Sequence, residues 1–338
     1  MKKILPTIKN ISVIGDGGWG TTLAIHLYNN KYNITLWSPF EQYAREMRAK
    51  RVNHKFLPGK NIPKAIHITS NLKESIEKAD LIVFAVPSNF SVSVLNQIKQ
   101  TKARLANKLF LSVTKGFDTQ RLLRISQIVE KELGRIPLAV LSGPTIAIEV
   151  ANKIPSTAVI ASKNMAIAQC LQKVFNSDTF RIYTNTDVAG VELGGSIKNI
   201  IAVACGVCDG LKLGTNTKSA ILTRGLAEMA RLGVKMGAKK ETFSGLSGLG
   251  DLATTCFSPN SRNRSVGEKI GQGKSVKQIL SSMEMVAEGI EAAKAAHKLS
   301  LKYKISMPIT EQVYNIVTKG KKAKQAVADL MKRSVKSE

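Results

Sequence analysis

The sequence predicts an α/β domain built on a mostly parallel sheet, residues 1–189, followed by an all-helical domain, residues 190–338. Three observations predict this. Short β-rich runs alternate with helical patterns through the first half, the signature of βαβ units. A glycine-rich turn follows the first of those runs. Beyond about Val188 the β-rich runs stop. The chain has 338 residues, enough for about two domains at roughly 150 residues each.

The strands are read in order. Ile11–Ile14 is the first, and Ile34–Trp37 the second. Leu81–Val86 is an unbroken apolar run, as expected of a strand buried on both faces. Leu109–Val113 and Leu138–Leu141 repeat the pattern, and Pro155–Ser162 and Phe180–Tyr183 add two more. Helices are predicted at 190–211, 218–237, 263–272, 275–282, 289–303, 310–319 and 322–334. Gly, Pro or Ser/Thr/Asn/Asp residues bound each of them. The boundary falls at 188–191 without a long linker.

Composition narrows the function classes. Lys and Arg number 50 against 24 Asp and Glu, a net charge of +26, which attracts anions: nucleotides, phosphorylated metabolites, nucleic acid or acidic lipid. The basic C-terminal stretch (Lys319, Lys321, Lys322, Lys324, Lys332, Arg333, Lys336) reads as a solvated helix face rather than a nucleic-acid arm. Eighteen aromatics, none interleaved with a basic segment, give little support to a single-strand binding platform. No apolar run reaches the roughly 18 residues of a membrane span, so no membrane insertion is expected. Four scattered cysteines make no disulfide scaffold, and Met1–Pro6 lacks the apolar core of a signal peptide. A cytoplasmic protein is the expectation.

Gly15-Asp16-Gly17-Gly18-Trp19-Gly20 matches G-x-G-x-x-G in strand–turn–helix context. Gly15 permits the tight turn, Gly17 lets a pyrophosphate approach the backbone, and Gly20 allows close helix–strand packing. The helix N-terminus offers N–H groups and partial positive charge to the phosphates. A Rossmann-type dinucleotide site is the reading. The acid that commonly closes the second strand and binds the NAD ribose is missing, because the stretch reads Trp37-Ser38-Pro39-Phe40. Ser38 could donate to a 2′-phosphate, but no Arg sits at 38–40, and the nearest basic residues are Arg45 and Arg48. The cofactor is NAD or NADP, with a lean toward NADP.

In the second half, Lys198 interrupts a helix of small and apolar residues, Gly194–Ile201. It could snorkel to solvent or serve chemistry. Asp251 in Gly248–Asp251 could be a helix cap or a site residue. Ser261-Arg262-Asn263 could cap a helix or bind an anion. Lys115-Gly116 follows a strand, where α/β sheets place ligand contacts. Cys205-Gly206-Val207-Cys208 has no second cysteine pair and reads as packing. His26, His54, His67 and His297 show no ligand spacing, so no metal is expected.

These residues carry a family resemblance. The chain resembles the bacterial-type NAD(P)-dependent sn-glycerol-3-phosphate dehydrogenases at Val13–Thr21, Phe56–Gly59, Ala85–Ser88, Thr114–Gly116, Ser142–Thr145, Glu192–Gly195 with Lys198-Asn199, Thr223–Met229, Gly248–Leu252, Ser261–Arg264, Val286–Gly289 and Met307–Thr310. The resemblance implies hydride transfer between NAD(P)H and dihydroxyacetone phosphate, giving sn-glycerol 3-phosphate for glycerophospholipid synthesis. It implies Lys198 as general acid/base. Lys115, Gly143, Thr145, Lys198, Asp251, Ser261, Arg262 and Asn263 would contact substrate. Gly15, Gly17, Gly18, Trp19, Gly20, Lys115, Ala147, Arg262, Val286 and Glu288 would contact cofactor. It also implies a homodimer acting on a small phosphorylated substrate, with no specific nucleic-acid partner. The chain departs from the family pattern at Pro39, where many relatives carry a basic residue or His, and at Asn89, where His is common. The first departure weakens any carry-over of 2′-phosphate recognition. Three alternatives remain: a two-domain β-hydroxyacid dehydrogenase, a non-catalytic dinucleotide-sensing protein, and a basic nucleic-acid binder that retains a nucleotide fold.

Overall fold

A computed structural model describes residues 7–281, 283 and 288–335. The chain divides into two compact units, Met1–Lys115 with Leu123–Glu192, and Gly116–Leu122 with Leu193–Glu338. The sequence reading put 116–122 with the first domain. The segment joins the second because Gly116 N donates to Ser196 Oγ at 2.8 Å, and Ser196 Oγ donates back to Gly116 O at 3.2 Å.

Among the described residues the first unit holds an eight-stranded sheet. Its spatial order is Phe180–Asn185, Ser156–Ala161, Leu138–Ser142, Leu109–Ser112, Leu81–Phe84, Asn10–Ile14, Asn33–Trp37, His67–Thr69. Neighbours run parallel except Leu138–Ser142 against Ser156–Ala161. The edge strand His67–Thr69 escaped the sequence reading because it is three residues long, too short for a period to register.

The apolar runs owe their continuity to two cores, one on each face. Ile11, Val13, Leu81, Val83, Leu109 and Leu111 enter one cluster with Leu23, Leu27 and Phe175. Ile14, Ile82, Phe84 and Phe110 enter the other with Leu95, Ile98 and Ile128. Successive strand residues point to opposite faces, so both parities must be apolar. From Asn10–Ile14 the chain steps outward to Asn33–Trp37 and His67–Thr69, then returns to the other side of the first strand at Leu81–Phe84. That reversal is a topological switch point, and ligands bind beyond the carboxyl ends of strands there.

The second unit is helical. Its core is Val188–Gly210, which starts in the first unit, together with Gly214–Lys235, Arg262–Gly271, Glu288–Lys302 and Pro308–Lys319. By length and composition Val188–Gly210 could cross a membrane, contrary to the sequence expectation, yet its apolar window is 100% buried within the protein. It packs backbone to backbone against Arg262–Gly271. A Cβ on Gly206 would lie 2.0 Å from Arg264 O, and one on Gly267 would lie 2.0 Å from Val203 O. Gly210 and Gly271, each four residues further along, repeat the contact at 2.2 Å from Glu268 O and 2.6 Å from Val207 O. One helical turn separates each pair, which places both glycines on one face.

Glu228 supplies a long-range cap. Its carboxylate, 1% exposed, accepts from Ile309 N at 2.6 Å, Thr310 N at 3.0 Å and Thr310 Oγ1 at 2.8 Å. It thereby satisfies N–H groups at the start of Pro308–Lys319 that the helix leaves orphaned. Burial outweighs these bonds and raises its pKa above the ordinary value. The folded state therefore holds this proton to higher pH than the unfolded chain, and stability falls as pH rises above the ordinary carboxylate value through the raised one. Glu228→Gln turns an amide donor toward a backbone donor and is expected to cost about 1–3 kcal/mol. Chemical unfolding at several pH values checks this: the deficit should narrow as pH rises.

Candidate active site

The site residues of the first unit gather at the switch point. Gly15 has φ +117°, and a Cβ there would lie 2.7 Å from Ala85 O on the neighbouring crossover. A Cβ on Gly20 would lie 2.0 Å from Gly15 O, so only glycine lets the helix Gly18–Asn29 start that close to the strand. Gly17 differs, since a Cβ there meets no atom within 4 Å. Packing does not demand that glycine, and the space in front of its backbone suits a pyrophosphate drawn to the N-terminus of the helix. The residues present therefore fit a dinucleotide. Ala147 lies beside the turn, its carbonyl accepting from Thr22 Oγ1 at 3.2 Å. Trp19 is half-buried with its ring edge-on to Phe180 at 6.3 Å, and its indole N–H has no partner among the described residues.

Asp16, between the first two glycines, is buried at 6% exposure. Ser38 Oγ donates to its carboxylate at 2.6 Å. Burial raises the Asp16 pKa, while the Ser38 bond, a bond from the residue's own backbone N–H and, least, the nearby Lys55 charge work against that rise. Asn53 Nδ2 ties the turn down, donating to Asp16 O at 2.6 Å and Thr21 Oγ1 at 2.7 Å. Lys115 Nζ donates to Gly143 O at 3.1 Å and Thr145 Oγ1 at 3.5 Å. These three predicted substrate residues meet at the carboxyl ends of Leu109–Ser112 and Leu138–Ser142.

The second unit collects the rest. Lys198 does not snorkel. It is 6% exposed, and its ammonium bonds the Asp251 carboxylate and donates to Thr255 Oγ1 at 2.7 Å. A close backbone approach makes this meeting: a Cβ on Gly194, one turn before Lys198, would lie 2.2 Å from Ser247 O. Ser247 belongs to a π-helical turn, Leu246–Gly250, that leads into the helix Asp251–Phe257. Asp251 is thus no N-cap; it lies inside the helical run with its carboxylate on Lys198. Thr255 went unnoticed in the sequence. It stands four residues after Asp251, the helical spacing that puts two side chains on one face, and its hydroxyl also donates to Asp251 O at 2.6 Å.

The neighbouring residues form a chain of contacts. Asn199 Nδ2 donates to Glu288 Oε2 at 3.2 Å, and Asn263 Oδ1 accepts from Gly289 N at 2.9 Å. Ser261 caps the helix Arg262–Gly271, its hydroxyl accepting from Arg264 N at 3.3 Å. Arg262 occupies the first turn. Val286 lies outside the described residues. Cys205 and Cys208 are both buried free thiols; the Cys205 thiol is hydrogen-bonded to Cys256, which with burial raises its pKa. Among the described residues no group of three His, Cys, Asp or Glu could hold a metal.

The N-terminal model of NAD-dependent glycerol-3-phosphate dehydrogenase matches residues 10–168, and the C-terminal model matches 187–328. The glycerol-3-phosphate dehydrogenase [NAD(P)+] of Geobacter sulfurreducens is 44% identical over 98% of this chain and 99% of its own. That of Bacillus pumilus is 43% identical over 96% and 95%. The crystal structure of glycerol-3-phosphate dehydrogenase from Coxiella burnetii, 38% identical, covers 97% of this chain and 100% of its own at a TM-score of 0.93. The chain belongs to the NAD(P)-dependent glycerol-3-phosphate dehydrogenase family.

Proposed function

We propose that the chain interconverts dihydroxyacetone phosphate and sn-glycerol 3-phosphate, with Lys198 as proton donor in reduction and acceptor in oxidation. The observation that carries this reading is the Lys198 ammonium, buried in an apolar helix and aimed by Asp251 and Thr255. Taking an ion pair out of water costs several kcal/mol per ion, which pairing repays only in part, so the buried Lys198–Asp251 pair is better explained by chemistry than by stability.

When bound, NAD(P)H supplies hydride to the carbonyl carbon. As the C–H bond forms, charge develops on the ketone oxygen, and a proton must arrive there from a group in hydrogen-bond reach. Lys198 gives that proton and leaves as the neutral amine; water restores it. Asp251 accepts the ammonium and fixes its direction. Thr255, which donates its hydroxyl proton to Asp251 O, accepts from Lys198 and acts as a positioning residue. The substrate phosphate would be held by Arg262 and the positive end of Arg262–Gly271. Holding the substrate by its phosphate would orient its carbonyl for reaction, and such orientation lowers the barrier. Lys115, Gly143, Thr145, Ser261 and Asn263 complete the proposed substrate contacts, and Gly15, Gly17, Gly18, Trp19, Gly20, Lys115, Ala147, Arg262, Val286 and Glu288 are the proposed cofactor contacts. Supply of glycerol 3-phosphate for glycerophospholipid synthesis, and a homodimer, belong to the same proposal.

Oxidation of NADH or NADPH, followed at 340 nm with dihydroxyacetone phosphate, tests the reading. Turnover should require that ketone. Equal rates with 3-keto acids would favour the β-hydroxyacid alternative, which has no use for the Arg262 phosphate contact.

A further inference from the structure

Beyond the second strand, sequence reading offered Ser38 to a cofactor 2′-phosphate, with Arg45 and Arg48 as the nearest basic residues. In the structure a carboxylate engages each of them. Ser38 Oγ has one proton, and it points to Asp16 Oδ2 at 2.6 Å; on its other side the same oxygen accepts from Phe40 N at 3.3 Å. Arg45 Nε and Arg48 Nη2 both donate to Glu41 Oε1, at 2.7 and 3.0 Å, and Arg48 Nη1 donates to Ile68 O at 3.0 Å. The Ser70 hydroxyl and the two arginines draw the Glu41 pKa down to about 2, so Glu41 is ionised at any working pH.

The two acids are not equivalent. Glu41 and Arg45 are exposed, and water and salt screen such a pair. Asp16 is buried, with its oxygen on the residue where a second-strand acid would stand. A charge there acts through lower dielectric than water provides.

We infer that Asp16 is a specificity-determining residue: reaching from the glycine turn to Ser38 at the carboxyl end of the second strand, its carboxylate replaces the missing strand acid and selects NAD(H) against NADP(H). The inference rests on the dinucleotide reading of the turn. A carboxylate has about four acceptor positions; Ser38 and the residue's own backbone N–H fill two, so acceptor capacity remains for a ribose hydroxyl. A dianionic 2′-phosphate in the same place meets a like charge, and Ser38 cannot turn to it without abandoning Asp16. Lys55 offsets part of the repulsion. This inverts the lean that Ser38 alone suggests in the sequence.

The test is equilibrium binding, without substrate, read by nicotinamide fluorescence. Wild-type protein should bind NADH at least about tenfold tighter than NADPH. Asp16→Asn keeps an acceptor for Ser38 and removes the charge. It should bring the two affinities within about threefold, chiefly by tightening NADPH. Displacement of NADH from wild type by adenosine 5′-monophosphate, against adenosine 2′,5′-bisphosphate, needs no variant, and the monophosphate should compete better. NADPH binding as tightly as NADH to wild type, a stronger 2′,5′-bisphosphate, or an unchanged ratio in folded Asp16→Asn overturns the inference. If that variant fails to fold, the fragment competition decides. Binding of neither reduced cofactor would instead overturn the dinucleotide reading, a result distinct from equal binding of both.

Discussion

Lys198→Ala is expected to lower kcat for dihydroxyacetone phosphate reduction by about a thousandfold or more, the upper part of the range for losing a positioned general acid. NADH affinity should stay within about twofold of wild type, because the proposed glycine-turn contacts lie elsewhere in the chain. That split separates an enzyme from a dinucleotide-sensing protein, in which the same truncation would leave every measurable output intact. The truncation also lowers stability. The change strands the Asp251 carboxylate, which is 1% exposed, without its cation. Breaking a buried pair from one side costs about 3–5 kcal/mol. Thermal unfolding of the variant must therefore be recorded, and turnover measured below its midpoint. A folded Lys198→Ala enzyme with at least a tenth of wild-type kcat would remove the amine from the chemistry.

Gly267→Val is expected to cost more than about 4 kcal/mol, a large share of the 5–15 kcal/mol that holds an ordinary domain together. The new Cβ would lie 2.0 Å from Val203 O, where backbone rather than a flexible side chain must yield. Moving one helix outward would also lift Gly206, Gly210 and Gly271 from their contacts. Gly273→Ala is the control: φ is +95° there, but a Cβ meets nothing within 4 Å. Only the backbone preference is lost, about 1 kcal/mol. Circular dichroism melts should rank the two variants in that order, and equal midpoints would show that the helices are not in backbone contact.

The sheet was legible because each long strand announces itself. Leu81–Phe84 and Leu109–Ser112 are apolar at both parities, and no surface strand needs that. The glycine turn was legible because its spacing repeats a steric demand, visible at Gly15 and Gly20. Lys198 stood out by contrast with its apolar neighbours, but its partners did not. The contact with Thr255 spans 57 residues, and the intervening π-helical turn Leu246–Gly250 has no period to detect. The helix Asp251–Phe257 was missed for the same reason: seven residues give fewer than two full turns of pattern. Asp16 passed for filler between glycines, because a loop position shows no face in sequence. Only coordinates reveal that it meets Ser38, 22 residues on.

The apolar character of Val188–Gly210 bears on how the protein is made. Its cover, Arg262–Gly271, emerges from the ribosome about fifty residues later, roughly three to ten seconds at common elongation rates. For that interval the face carrying Gly206 and Gly210, on a rod greasy enough to enter a bilayer, lacks the backbone it packs against, although Gly214–Lys235 has already been made. Biosynthesis must pass through a state that invites misassembly, so yields from overexpression should respond to slower translation or to chaperone supply more than the quiet surface of the finished protein would suggest.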